Sequence, residues 1–195
     1  AAATERHIPY QLQALFARLQ NSACAAVDTL ALTSSFGWDQ SDSFVQHDVQ
    51  ELNRVLFQAI ERYTQKAGTA SFITDLYEDT MVDCIKCTGC QEVRKRSDKF
   101  QDIALMVRGC KTLEDSFDHF VLPEVLEGID CDTCKAKQDA QKYLSFSGFP
   151  PLLTLQLRRF DFDPQTWQRV KVHDALRVPL VLDVAKWLPE GHGSG

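Results

Sequence analysis

Apolar positions recur every three or four residues along the first third of the chain. Leu12, Leu15, Phe16 and Leu19 do so after Ile8-Pro9. A proline costs little at a helix start, where its missing N–H has no intrahelical partner. A second helix is expected over "QHDVQELNRVLFQAIERY". There Val49, Leu52, Val55, Leu56, Ala59, Ile60 and Tyr63 form one stripe, and Gln50, Glu51, Arg54, Gln58 and Glu61 fall largely off it. Between the two, "LTSSFGWDQSDSF" reads as a polar connection carrying Phe36 and Trp38, and Lys66-Ala67-Gly68 closes the helical part.

From about Phe72 the period shortens to alternation. "FITDLYEDTMVDCIKC" and "FQDIALMV" have strand character. Thr112–Val121 is a short helix capped by Thr112 and followed by Pro123. Later, Leu153, Leu155 and Leu157 alternate with Thr154, Gln156 and Arg158. "DPQT" (Asp163–Thr166) then turns the chain, and "WQRVKVH" returns with Val170 and Val172 on one face, which is a hairpin. The expected class is α+β, with helices first and antiparallel strands after.

Composition narrows the function classes. The 195 residues are 44% hydrophobic and 25% charged, as in an ordinary globular chain. A net charge of −6 argues against a nucleic-acid partner. No apolar run is long enough to cross a membrane, and residues 1–20 lack the pattern of a signal peptide. Seven cysteines without a secretory signal are read as reduced thiols in cytosol or nucleus.

Five of the seven fall in two clusters, "DCIKCTGC" and "DCDTC". Zinc takes four soft ligands in a tetrahedron, and a C-x-x-C turn offers two thiolates on one knuckle. Cys87 with Cys90 and Cys131 with Cys134 can therefore close a structural Zn²⁺ site, with strands running out and back between the knuckles. Cys84 also spaces as C-x-x-C with Cys87, so the first cluster holds three candidates for two places. Gly89 favours Cys87 and Cys90, because a knuckle turn needs a small residue there. Cys24 and Cys110 are expected to be small buried hydrophobes.

Three stretches together resemble one family, the ubiquitin-specific proteases, which are papain-like cysteine deubiquitinases. "SFGWDQSDSFVQHDVQELNRVLFQAIE" resembles the family's glutamine–aspartate box. The paired knuckles resemble the zinc-binding tip of its fingers, and "FPPLLTLQLRRFDFDPQTWQRVKVHD" resembles its palm strands with a Leu-x-Arg-Phe signature. The likeness runs from about residue 8 to 188, in the family's order. It implies a helical thumb-like part (1–71), β fingers with a zinc-binding tip (72–148) and palm-like strands (149–195). It also implies ubiquitin and ubiquitinated proteins as partners of a monomer. The tail of ubiquitin carries two arginines before its final glycines, and carboxylates pair guanidiniums well. The resemblance thus assigns Asp48, Gln50, Glu51, Arg159 and Phe160 to ubiquitin binding. The plain alternatives are that Asp48 caps its helix or pairs with Arg54, and that Phe160 is core.

The departures matter as much. No Gly-Asn-Thr-Cys-Tyr-like box precedes the first helix, since Cys24 sits in "NSACAAV". None of His7, His47, His119, His173 and His192 has the context of the family's catalytic histidine. A cysteine nucleophile needs a base within hydrogen-bond reach. The chain is therefore read as part of a deubiquitinating thiol isopeptidase, inactive on its own, with no catalytic residue assigned. The alternative is an inactive zinc-containing module that binds ubiquitin. A nucleic-acid zinc ribbon and a thiol redox protein fit less well.

Overall fold

The computed structural model describes residues 7–37, 49–163 and 165–189. The chain divides into two compact units, Ala1–Ile73 and Thr74–Gly195.

The first unit is helical. Helix α1 (Ile8–Asn21) carries Pro9 in its first turn and packs against α2 (Leu30–Ser35) and α3 (Val49–Lys66). His7 meets Tyr63 edge-on at 5.5 Å. Helix α2 corrects the sequence reading, which made its last four residues part of a loop. Its six residues are too few to show a helical period, and Thr33 and Ser35 return their hydroxyls to main-chain carbonyls of the same turn. Helix α3 ends at Lys66, two residues before Gly68, whose φ of +69° suits a helix C-terminus. Residues 38–48, with Trp38, His47 and Asp48, lie outside the described residues.

The second correction concerns Phe72–Tyr77. The sequence "FITDLY" is β-branched and aromatic, yet it forms a helical turn and a half, α4, and the first strand begins only at Asp79. Tertiary context overrides so short a propensity.

The second unit centres on one four-stranded antiparallel sheet. Its strands are β1 (Asp79–Cys87), β2 (Val93–Phe100), β4 (Glu124–Cys131) and β5 (Ala136–Phe146), in the order β2-β1-β5-β4. The β1–β2 register is unbroken from Asp79↔Phe100 to Lys86↔Val93. The β4–β5 pair shifts between Leu126 and Ile129, where Gly128 (φ +62°) bulges and donates its N–H to Asp139. Strand β3 (Ile103–Met106) pairs in parallel with β6 (Leu155–Arg158), and helix α5 (Leu113–Phe120) packs against β3. Thr112 caps α5 as expected. Its hydroxyl accepts from the N–H of Asp115, whose carboxylate accepts the N–H of Thr112 in return.

Phe100, Ile103, Leu105, Leu113, Phe117, Phe146 and Trp187 form the core, with Leu153, Leu155 and Leu157 packed against it. Trp187 belongs to a short 3-10 turn (Ala185–Trp187). Its ring stacks on Phe117 at 4.2 Å, and its indole N–H reaches Asp118 at 2.8 Å. The expected hairpin is shorter than its alternation suggests. Only β7 (Phe160–Asp163) pairs with β8 (Gln168–Lys171), because the strand breaks at Arg159 and its first half turns to β3.

Candidate functional site

Both cysteine knuckles are turns between antiparallel partners. One joins β1 to β2 and the other joins β4 to β5. Because β1 and β5 are antiparallel neighbours, with Cys87 opposite Ala140, the two turns meet at the same end of the sheet. The turns are built alike. The carbonyl of Cys87 accepts the N–H of Gln91, and that of Cys131 accepts the N–H of Lys135. The residue after each second cysteine is left-handed, Gln91 at φ +64° and Lys135 at +53°. Neither is glycine, so each knuckle stores backbone strain that the site must offset. Gly89 serves a different end from a left-handed turn. A Cβ there would lie 2.9 Å from Oε1 of Gln138 and 3.4 Å from Sγ of Cys134, so glycine makes room for the opposite knuckle.

The four sulfurs of Cys87, Cys90, Cys131 and Cys134 all lie within 4.8 Å of one another. Across the knuckles, Cys87 Sγ is 3.9 Å from Cys134 Sγ, and Cys90 Sγ is 3.6 Å from Cys131 Sγ. A disulfide would need about 2.05 Å. A tetrahedral zinc with metal–sulfur bonds of about 2.3 Å sets its ligands about 3.8 Å apart. The donor set therefore fits zinc by spacing and softness, and four thiolates leave no place for a reactive water. Cys84 stands outside the group. It is buried on β1, opposite Tyr143, with its thiol directed to the Val82 carbonyl.

The electrostatics of the cluster favour a cation. The main-chain N–H of Cys134, followed by that of Thr133, draws the Cys131 thiol down to about 7 against the cost of burial. Hydrogen bonding to the Cys90 sulfur, followed by burial, pushes Cys134 up to about 12. Four close thiols hold few negative charges by themselves, and a divalent ion lets all of them ionise.

The residues assigned to ubiquitin by resemblance are split between the units. Gln50 and Glu51 lie in the first turn of α3, Glu51 exposed and Gln50 half-buried. Asp48 is outside the described residues. In the second unit, the Arg159 guanidinium donates to the carbonyls of Val172 and Asp174, at 3.5 and 3.0 Å, and so fastens the base of the hairpin. Phe160 is half-exposed beneath Arg169, whose guanidinium carbon lies 5.5 Å from the ring centre. Trp167 is 77% exposed with φ +55°. Cys110 is buried as expected, but Cys24 is exposed, which corrects its reading as a core residue. It follows the end of α1 in a short alanine-rich link, where nothing in the sequence marks its exposure. The sequence also hides Gln91, Lys135 and Gln138. Spacing marks ligands, while the turn geometry behind them leaves no compositional trace.

A family model described as ubiquitin carboxyl-terminal hydrolase matches residues 1–194. Ubiquitin carboxyl-terminal hydrolase 47 of Drosophila melanogaster is 44% identical over 199 residues, covering 97% of this chain and 13% of the relative. The Homo sapiens protein of that name is 42% identical over 190 residues, 93% of this chain and 14% of its own length. Ubiquitin C-terminal hydrolase 13 of Arabidopsis thaliana is 42% identical over 179 residues, with 91% and 16% covered. The chain thus spans 13% to 16% of the length of these relatives.

Proposed function

The chain belongs to the ubiquitin carboxyl-terminal hydrolase family, and from that premise we propose that it serves as the finger-bearing segment of a deubiquitinating thiol isopeptidase. The intact enzyme cleaves the bond after the terminal glycine of ubiquitin, with its cysteine and histidine drawn from sequence other than residues 1–195. The observation that carries this reading is the four-sulfur cluster at the tip of the β1–β2 and β4–β5 hairpins. Cys87, Cys90, Cys131 and Cys134 hold a structural zinc, which supplies rigidity and no chemistry.

The remaining residues divide the work of binding. Glu51 and Gln50, together with Asp48 of the same sequence box, offer acid and amide groups to the arginines of the ubiquitin tail. Phe160 offers an aromatic face to the tail's apolar part. Arg159 acts through the hairpin, since its Nη1 donates to the carbonyls of Val172 and Asp174. Residues 1–71, 72–148 and 149–195 correspond to thumb-like, finger and palm-like parts. The protein works as a monomer in cytosol or nucleus.

Three measurements test the reading on the 195-residue chain. Purified protein should carry one zinc per chain, and less than half would overturn the metal assignment. Ubiquitin should bind, and Glu51→Lys should weaken it several-fold without zinc loss. A ubiquitin C-terminal fluorogenic amide should not be hydrolysed, and turnover abolished by Cys24→Ser would sink the proposal that the segment lacks catalysis. A parent chain without the cysteine and histidine boxes would turn the reading into its alternative, a zinc-containing ubiquitin-binding module.

A further inference from the structure

The finger sheet has two edges, and they differ in charge and construction. Strand β4 bears Glu124, Glu127 and Asp130, follows Pro123, and is broken by the Gly128 bulge. Bulges and prolines blunt an edge against further pairing. Strand β2 has neither, and its eight residues run in unbroken register. It carries Arg94, Lys95, Arg96 and Lys99 against Asp98 alone, in a chain of net charge −6.

The direction in which the main-chain groups of β2 point follows from the ladder. The N–H of Cys87 donates to the carbonyl of Glu92, while Thr80 and Thr88 bond on the β5 side. Antiparallel pairs alternate, so Arg94, Arg96 and Asp98 turn their main-chain groups to β1. Val93, Lys95, Ser97 and Lys99 turn theirs away from β1, on the side where no further strand pairs among the described residues. Side chains alternate as well, which puts Arg94 and Arg96 on one face of the sheet and Lys95 and Lys99 on the other. A strand laid along this edge would meet cations on both of its faces.

We propose that the β2 edge is a docking site for an acidic, extended peptide segment of a partner protein, added to the sheet as a further strand. A run of consecutive Asp or Glu residues fits it better than an alternating one, because both faces are cationic. The existing ion pairs do not forbid this. Arg94 faces Asp132 at 3.8 Å, Arg96 faces Asp98 at 2.9 Å, and Lys99 faces Glu78 at 2.6 Å, with the cations 53% to 74% exposed. The Arg94–Asp132 and Arg96–Asp98 pairs are open to water on both sides, contribute little and exchange readily, whereas Lys99 is held by Glu78, which is 16% exposed. Main-chain bonds supply affinity in such additions, while side-chain charge supplies selectivity.

The test uses the zinc-loaded 195-residue chain and a fluorescein-labelled peptide of consecutive glutamates, read by anisotropy at low salt. Binding is expected to weaken about tenfold or more in the double variant Lys95→Glu, Arg96→Glu, with zinc content unchanged as proof of folding. It should vanish for the same peptide N-methylated at every residue, which removes the donors of both strand edges, and a lysine peptide should not bind. Amide exchange should slow at Val93, Lys95, Ser97 and Lys99 and stay unchanged at Arg94 and Arg96. Failure of the glutamate peptide to bind would overturn the site. Equal binding of the N-methylated peptide, or unchanged exchange at those four amides, would overturn strand addition and leave ionic contact alone.

Discussion

The helical and strand units treat their apolar residues in opposite ways. Helices α1 and α3 have regular apolar stripes, yet among the described residues of α1, α2 and α3 the structure buries only Gln11, Leu15 and Thr64. Phe16 and Leu19 on α1, and Val49 and Tyr63 on α3, remain half-exposed or more. The strand unit has far more polar strands, but Leu105, Val107, Phe117, Ala140 and Phe146 are sealed completely. Periodicity decides that a segment becomes a helix, while burial decides how firmly it is held. The molecule should be stiff where its sequence is least patterned.

The largest expected effect lies at the knuckles. Structural zinc contributes on the order of 10 kcal/mol of apparent binding energy in small zinc-dependent folds. Chelation, or Cys131→Ser, should expose the amides at the ends of β1 and β5 to exchange while leaving exchange in α1 and α3 unchanged. Equal loosening of both units would break the contrast. Next comes the core: Phe117→Ala should cost about 3–5 kcal/mol by denaturant unfolding. Leu15→Ala should fall below about 2 kcal/mol, under the usual range for a packed leucine. Comparable costs would show the helical unit to be as well packed as the other.

Smaller effects sharpen the picture within the strand unit. Gln91→Gly and Lys135→Gly relieve left-handed backbone and should each stabilise the zinc-loaded protein by about 1 kcal/mol, read as a raised unfolding midpoint. The smallest effect is at Asp115, whose carboxyl is held below its ordinary value by the main-chain N–H of Thr112 and that of Lys111. A carboxyl lowered in the folded state stabilises above its unfolded value of about 3.9, and the gain disappears as pH falls through the folded value. Asp115→Asn should therefore flatten the acid limb of the stability curve and leave its shape unchanged above that range.

These contrasts mirror what could be read in advance. The stripe of α3, the Thr112 cap and the two C-x-x-C pairs each obey a local rule, and all can be found without coordinates. Strands β2 and β5 cannot, because "VRKRSDK" and "AKQDAQK" are polar on both faces and show no alternation. Their pairing is fixed by their neighbours. The parallel union of β3 with β6 joins residues some fifty positions apart, as in Ile103↔Leu155, and no local pattern announces it. Within the candidate site, the four clustered cysteines are legible while their geometry is not. Gln91 and Lys135 adopt backbone angles that their side chains do not advertise.

The placement of both knuckles at one end of adjacent strands has a consequence for how the protein matures. If β1 slipped against β5 by two residues, the facing turns would separate by about 6.6 Å, well beyond the cross-knuckle sulfur spacings of 3.6 and 3.9 Å. A slip of one residue would send the side chains to the wrong face. Misaligned hairpins thus have no means of completing a tetrahedron, and under the proposed zinc assignment metal capture would trap only the correctly threaded arm.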